Sequence, residues 1–362
     1  MAAITSDSGV DAFFRRLQSP LLSVQSPMQV LRQCAVPKMN YLLRCMPSSC
    51  IADVADEFDC TVLRSAYDKL LLRRDERTEN TIRLLNMRLR DGGFGLTSAR
   101  STSPAAYLAS VASARLTAVF APSCAADCPL PSVTTLHGWL VDSMREVLEA
   151  TPDLASLLPP SASSFFSFYA TAKSSLSSTL QRTLTSQAIQ HRLDAFLTAA
   201  KQMRKHDGGA ALAHAKAISA PMACSWKRTA PTHPLMKLRD TQFRIAARLN
   251  LGLQPFSHTG DLPDSCPLCR REDAIVNDPW HLLSCNSQTG AEITTRHNAV
   301  VDALYHAVLI MGGQAVREPK GLHVEDGRRP DLQVVFPGRH VLTDVVVSHP
   351  LSSARLRRAA GG

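Results

Sequence analysis

Four residues towards the end of the chain have the types and spacing to hold a metal ion. The pattern is Cys266-x2-Cys269-x11-His281-x3-Cys285. Cys266-Pro267-Leu268-Cys269 offers two thiolates on one tight turn. His281 and Cys285 are four positions apart, so a helical turn would bring both to one side. Three sulfurs and one imidazole make a closed tetrahedral shell, which is how zinc is held for structure and not for catalysis. So short a module has little core of its own, so metal binding would supply its folding free energy. Trp280 is expected to pack beside the ion. The competing account is four core residues that never meet.

A second group is acidic. Asp331 follows Arg329-Pro330, and Asp344 lies within Leu342-Thr343-Asp344-Val345-Val346-Val347. Three strand-like segments are predicted here: Gln314 to Glu318, Asp331 to Phe336, and Val341 to Ser348, with Pro337-Gly338-Arg339-His340 as the turn between the last two. If Phe336 pairs with Val341, Asp331 sits opposite Val346, and Asp344 shares its face two residues away. The carboxylates are then diagonal neighbours, about 7–8 Å apart at the backbone. Such a pair can share a hard divalent cation such as Mg²⁺, with Glu318 as a third ligand. In phosphodiester cleavage that cation activates a water and stabilises the leaving oxygen. A one-residue slip would separate the acids. The same spacing also fits two surface acids on an exposed sheet.

The elements that must position these groups are mostly helical. Apolar residues at helical spacing mark residues 1 to about 121, with the run Thr81–Arg90 stopped by Asp91-Gly92-Gly93. Gly92, Gly93 and Gly95 are read as a tight turn, because no lysine and serine or threonine follow at phosphate-loop spacing. Ala105 to Ala121 is read as a buried helix, being shorter than the ~20 residues of a membrane span and interrupted by Arg115. Residues 122 to 133 are loop, with Cys124 and Cys128 lacking ligand partners at the right spacing. Pro152, Pro159, Pro160 and a serine cluster suggest a linker over 152–164. A long helix is predicted from Ser177 to Met203. Asp240 is the expected cap of a short helix, whose Arg244 and Arg248 are read as a solvated face, with a phosphate clamp as the lesser alternative. After the metal module comes a helix through Val300, Val301, Leu304, Tyr305, Val308 and Leu309, closed by Gly312-Gly313. The fold class is mainly α with a small α/β C-terminal domain.

The chain has 362 residues, room for two or three domains, and 45% of them are hydrophobic, ordinary for a globular protein. A formal charge of +9 points to a polyanionic partner, nucleic acid first. Arginine outnumbers lysine, which suits phosphate recognition and also arises in a G+C-rich gene. Ten cysteines without a secretory leader indicate a reducing compartment, nuclear or cytoplasmic, and no membrane partner.

Taken together, these residues resemble the end of a polyprotein from non-long-terminal-repeat retrotransposons that carry a restriction-like nuclease. The likeness rests on the Cys/His pattern with Leu282-Leu283-Ser284, Arg296-His297 opening a helix, Glu318-Pro319-Lys320-Gly321-Leu322, Asp326-Gly327-Arg328-Arg329-Pro330-Asp331 and Asp344-Val345-Val346-Val347. Val36-Pro37-Lys38-Met39-Asn40-Tyr41-Leu42-Leu43-Arg44, Gly92-Gly93-Phe94-Gly95-Leu96 and Phe243 to Leu249 extend it. The resemblance implies a helical thumb-like region at 1–121, a loop and helical connector at 122–262, a CCHC zinc knuckle at 263–290 and a truncated restriction-endonuclease-like sheet domain at 291–362. It implies Asp331, Asp344 and Glu318 as catalytic acids, zinc on Cys266, Cys269, His281 and Cys285, magnesium on Asp331 and Asp344, and DNA and element RNA as partners.

The chain also departs from that family. No paired-aspartate polymerase signature occurs, so no DNA synthesis is expected. Val346 stands where such nucleases place a lysine, and no lysine follows Lys320. Arg355, Arg357 and Arg358 are the basic residues beyond Asp344. The chain stops at Gly362, short of the last helix and strand such a nuclease needs. Nicking is therefore expected to be weak or absent here. A non-catalytic, zinc-dependent nucleic-acid binder and a helical interaction scaffold are the rival readings.

Overall fold

The computed structural model describes residues 9–113, 133–161, 164–165, 174–203, 209–232, 234–255, 265–274, 281, 285, 287–288, 290–319 and 330–346. They form a mostly helical chain with one three-stranded antiparallel sheet. The chain divides into two compact units, Met1–Thr259 and Gly260–Gly362. No helix among the described residues is long and apolar enough to cross a membrane.

The first unit opens with α1 (Val10–Leu17), α2 (Gln25–Val30), α3 (Asn40–Cys45) and the long α4 (Ser48–Leu70). Leu71 ends α4 in the left-handed region at φ 53°. In α5 (Glu79–Asn86) the Thr78 hydroxyl accepts the Thr81 N–H at 3.3 Å, which satisfies one of the helix's orphan donors. The chain then turns tightly, as its glycines predict. Gly92 sits at φ 96°, and a Cβ on Gly93 would lie 2.1 Å from the Met87 carbonyl oxygen, so only glycine fits there. Further helices are α6 (Ala99–Ser113), α7 (Val133–Ala150), α8 (Ser174–Gln202), α9 (Ala210–Ile218), α10 (Ser225–Arg228) and α11 (Asp240–Asn250).

One core joins α1 to α6 with Phe196 and Ala200 of α8, Leu212 and Ile218 of α9, and Phe243 and Ala247 of α11. Residues on both sides of position 121 therefore share one interior. A second core joins α6 and α7 to Leu180 and Leu184 of α8. The segment expected to be a linker belongs to it. Leu154, Leu158 and Phe165 are buried there, because apolar residues at turn spacing outweigh the prolines between them. Cys124, Cys128 and Arg115 lie outside the described residues.

Two charged groups in this unit also differ from expectation. Asp240 is the first residue of α11 and not its cap, and its carboxylate accepts the Val24 N–H at 2.9 Å. Arg248, expected on a solvated face, is only 1% exposed and pairs with buried Glu76. Helical spacing puts Arg244 and Arg248 on one side, but it is the packing of α11 that decides whether that side meets water.

Lys227 is also buried. Its ammonium donates to the Gly92 carbonyl oxygen at 2.7 Å and to Asn250 Oδ1 at 3.0 Å, and lies 4.7 Å from the Phe94 ring centre. Burial, offset in part by Cys224 and reinforced by Arg32, takes its pKa from 10.5 down to about 7. Between pH 7 and about 10 the unfolded chain thus binds a proton that the folded chain does not, so stability rises with pH across that window. Below pH 7 the folded state carries the whole desolvation cost. Urea unfolding followed by Trp226 fluorescence should show a stability gain from pH 7 to 9 that is missing in Lys227→Met. Equal pH slopes in the two proteins would refute this assignment.

In the second unit, α12 (Gly290–Ile310) packs on a sheet of β1 (Gln314–Arg317), β2 (Leu332–Phe336) and β3 (Arg339–Thr343), in that order. Val301 and Val308 meet Leu332 and Val334 in a small core. Val300, Leu304 and Leu309 of the same helix stay exposed, so the buried stripe is narrower than the sequence predicts.

Candidate metal centre

The four predicted ligands come together. Ser265 and Glu272 form an antiparallel bridge, and the Cys266 N–H donates to the Arg271 carbonyl at 2.9 Å. The backbone thus folds back on itself around Cys266 and Cys269. Arg270 (φ 60°) and Asp273 (φ 51°) take left-handed conformations to complete that reversal. Such conformations carry strain in a non-glycine residue. His281 and Cys285 complete the group, while residues 282–284 and Trp280 lie outside the described residues.

Sγ of Cys266, Cys269 and Cys285 and a ring nitrogen of His281 all lie within 4.8 Å of one another. Cys266 Sγ is 4.0 Å from Cys285 Sγ, and Cys269 Sγ is 3.2 Å from His281 Nε2. A tetrahedral ion with Zn–S near 2.3 Å and Zn–N near 2.0–2.1 Å requires donor separations of about 3.5–3.8 Å. The observed separations bracket that range, so the cluster can hold a metal ion such as zinc. Burial by itself raises the Cys266 thiol, but the backbone N–H groups of Cys269 and Leu268 and the side chains of Cys269 and His281 together outweigh it and bring the thiol from 9.0 down to about 6. Those N–H groups would stabilise the thiolate that a metal needs. Burial raises the Cys285 thiol. Leu268 and Ala274 pack against the sulfurs.

The acidic group is arranged differently from the expectation. Phe336 pairs with Arg339, not with Val341. Pro337 and Gly338 (φ 75°) form a two-residue turn, and β3 starts two residues earlier than predicted. Asp331 stands just before β2 and Asp344 just after β3. Continuing the register brings them level across the hairpin, and the Glu318 N–H donates to the Asp331 carbonyl at 3.1 Å. The three acids thus share one end of the sheet. However, strand alternation does not aim side chains that lie beyond the ladder. Asp331 Oδ1 is 3.1 Å from His297 Nε2 on α12, and Oδ2 accepts the Val345 N–H at 2.6 Å. Asp344 and Glu318 are exposed.

Among the described residues, the Cys/His cluster is the only group of three or more donors placed to hold an ion. Glu318, Asp331 and Asp344 do not form a second. Magnesium on Asp331 and Asp344 therefore finds no support here, the Asp331 carboxylate lying instead against His297 and the Val345 N–H. Sequence reasoning missed the tie between His297 and Asp331. Thirty-four positions separate the two residues, and no local signal links them.

No family model matches the chain, and no curated protein matches it.

Proposed function

We propose that this chain is a nucleic-acid-binding part of a non-long-terminal-repeat retrotransposon protein, in which a zinc-stapled knuckle helps hold the polynucleotide and the domain after it is nuclease-like but cuts weakly or not at all. The observation that carries this reading is the closure of Cys266, Cys269, His281 and Cys285 to metal-binding distance. Three thiolates and an imidazole favour zinc over harder cations. The filled tetrahedron leaves zinc no open position for a substrate, so its role is structural. The excess of nine positive charges supplies attraction to phosphates. A helix followed by a three-stranded sheet, with Asp331 and Asp344 level at one end, is compatible with a nuclease-like domain. The engagement of Asp331 with His297 and Val345 supports weak or absent nicking.

The test has two arms. The zinc-loaded protein should bind single-stranded RNA or DNA, and its affinity should fall by about tenfold or more between 50 and 200 mM salt, as counterion release requires for a few phosphate contacts. Chelation should abolish that binding, while Asp344→Ala should leave it unchanged. No binding at low salt would leave a helical interaction scaffold as the better reading. In the second arm, plasmid DNA with Mg²⁺ should stay largely supercoiled. Efficient nicking that disappears in Asp331→Ala would restore the cutting role.

A further inference from the structure

A cavity of about 450 Å³ lies inside the first unit, where α4, the start of α6, α7 and α8 meet. Such a volume holds about fifteen waters, or a small organic molecule. Pro104, Ala105, Val147, Leu154, Leu184 and Ala188 give it apolar walls. Its charged residues are Asp56, Asp59, Glu146, Arg100 and Arg192.

Asp59, Glu146 and Arg100 are already engaged, while Asp56 is largely exposed and reaches Arg100 only at 4.0 Å. Asp59 accepts the Ser98 hydroxyl at 2.6 Å and the N–H groups of Ala99 and Arg100 at 2.7 and 3.1 Å, so it fills the N-terminus of α6. Arg100 pairs with Glu146 at 2.7 Å and with Asp56 at 4.0 Å. Arg192 differs from these. Its Nη1 donates to the Ser101 hydroxyl at 3.3 Å, and no carboxylate among the described residues lies within 4.0 Å of it. A guanidinium carries five donors in a planar fork, so most of this one's capacity is unused. Burial lowers its pKa, with no neighbouring charge acting against that. A half-buried cation without a counter-ion is unfavourable until an anion arrives.

We propose that this cavity binds a small amphipathic monoanion, whose carboxylate or similar head group pairs with Arg192 and whose apolar body lies against Pro104, Val147, Leu154, Leu184 and Ala188. The head group would take the two-pronged geometry that arginine offers to carboxylates. Asp59 and Glu146 already have donors, which leaves the Arg192 guanidinium as the half-buried charge in need of a counter-ion. This site is independent of the metal centre and of the nucleic-acid reading.

Octanoate is a suitable probe, with octanol and octylammonium as charge controls, titrated into the full-length protein by calorimetry. Octanoate should bind once per chain, and octanol and octylammonium at least about tenfold more weakly, the worth of one charge-assisted hydrogen bond. Arg192→Met should lose about tenfold or more in octanoate affinity, and Ala188→Phe, which fills the cavity, should abolish binding. Without ligand, Arg192→Met should melt at or above the wild-type temperature, since it removes an unpaired cation. At equal concentration octanoate should then raise the wild-type Tm more than that of the variant. Equal binding of octanol and octanoate, undiminished binding by Arg192→Met, or no saturable octanoate binding would each overturn the proposal.

Discussion

Chelating the metal from the Cys266–Cys285 centre should unfold the knuckle while leaving the helical first unit intact. Structural zinc sites in finger-like peptides contribute about 10–16 kcal/mol of apparent binding free energy at neutral pH, and for so small a module that is folding free energy. Shared over four donors, each ligand is worth about 3 kcal/mol or more, so Cys285→Ser should weaken zinc binding by at least about a hundredfold. The apolar contacts of the centre are few, chiefly Leu268 and Ala274, and cannot replace the ion. Metal analysis of the purified protein should give about one zinc per chain. Cys34, Cys45, Cys50 and Cys60 are exposed, so Cys60→Ser is the control for adventitious binding and should leave that ratio unchanged. A Cys285→Ser protein that keeps its zinc at the same affinity would remove the basis for the knuckle. Acid should release the ion, because thiols must be deprotonated to bind it.

Breaking the Glu76–Arg248 pair should be the most damaging single change in the first unit. Arg248 is fully buried and spends its donors on Glu76, on the Leu71 carbonyl at 3.2 Å and on the Gln254 carbonyl at 2.6 Å. Glu76 in turn accepts the Arg73 N–H at 2.9 Å. The pair therefore links α11 to the turn after α4. Arg248→Met leaves a buried carboxylate with only the more distant Arg73 guanidinium at 3.6 Å, and Glu76→Gln leaves a buried guanidinium. Each should destabilise by about 3–5 kcal/mol. The double variant should be clearly less destabilised than the sum of the two singles, since the second change removes the charge that the first had stranded. Urea unfolding read by Trp226, whose ring lies 5.2 Å from that of Phe243 on α11, gives the measurement. Strictly additive losses would mean that the two side chains do not act as a pair.

Features with local causes were legible along the chain. Cys266-Pro267-Leu268-Cys269 closes a turn whatever surrounds it, and four donors at ligand spacing need only a short chain to meet. The glycine turn at Gly92-Gly93 and the helix ending at Gly312-Gly313 were equally legible, because backbone conformation excludes most other residues there. The mainly helical class and the three-stranded C-terminal sheet followed from apolar spacing.

Features that depend on partners far along the chain were set by packing. Arg248 on its helix looks like any exposed arginine, and only the arrival of Glu76, 172 positions earlier, makes its burial tolerable. Leu154 and Phe165 sit in a Pro- and Ser-rich stretch, yet α6, α7 and α8 leave a core for them to fill. The hairpin register turned on whether Pro337-Gly338 alone could reverse the chain. That moved Asp331 and Asp344 just past the ladder, where helix α12 and the Val345 N–H, not strand alternation, set the aim of Asp331. Local pattern records what a backbone can do; which side chains end up dry or paired is settled by long-range packing.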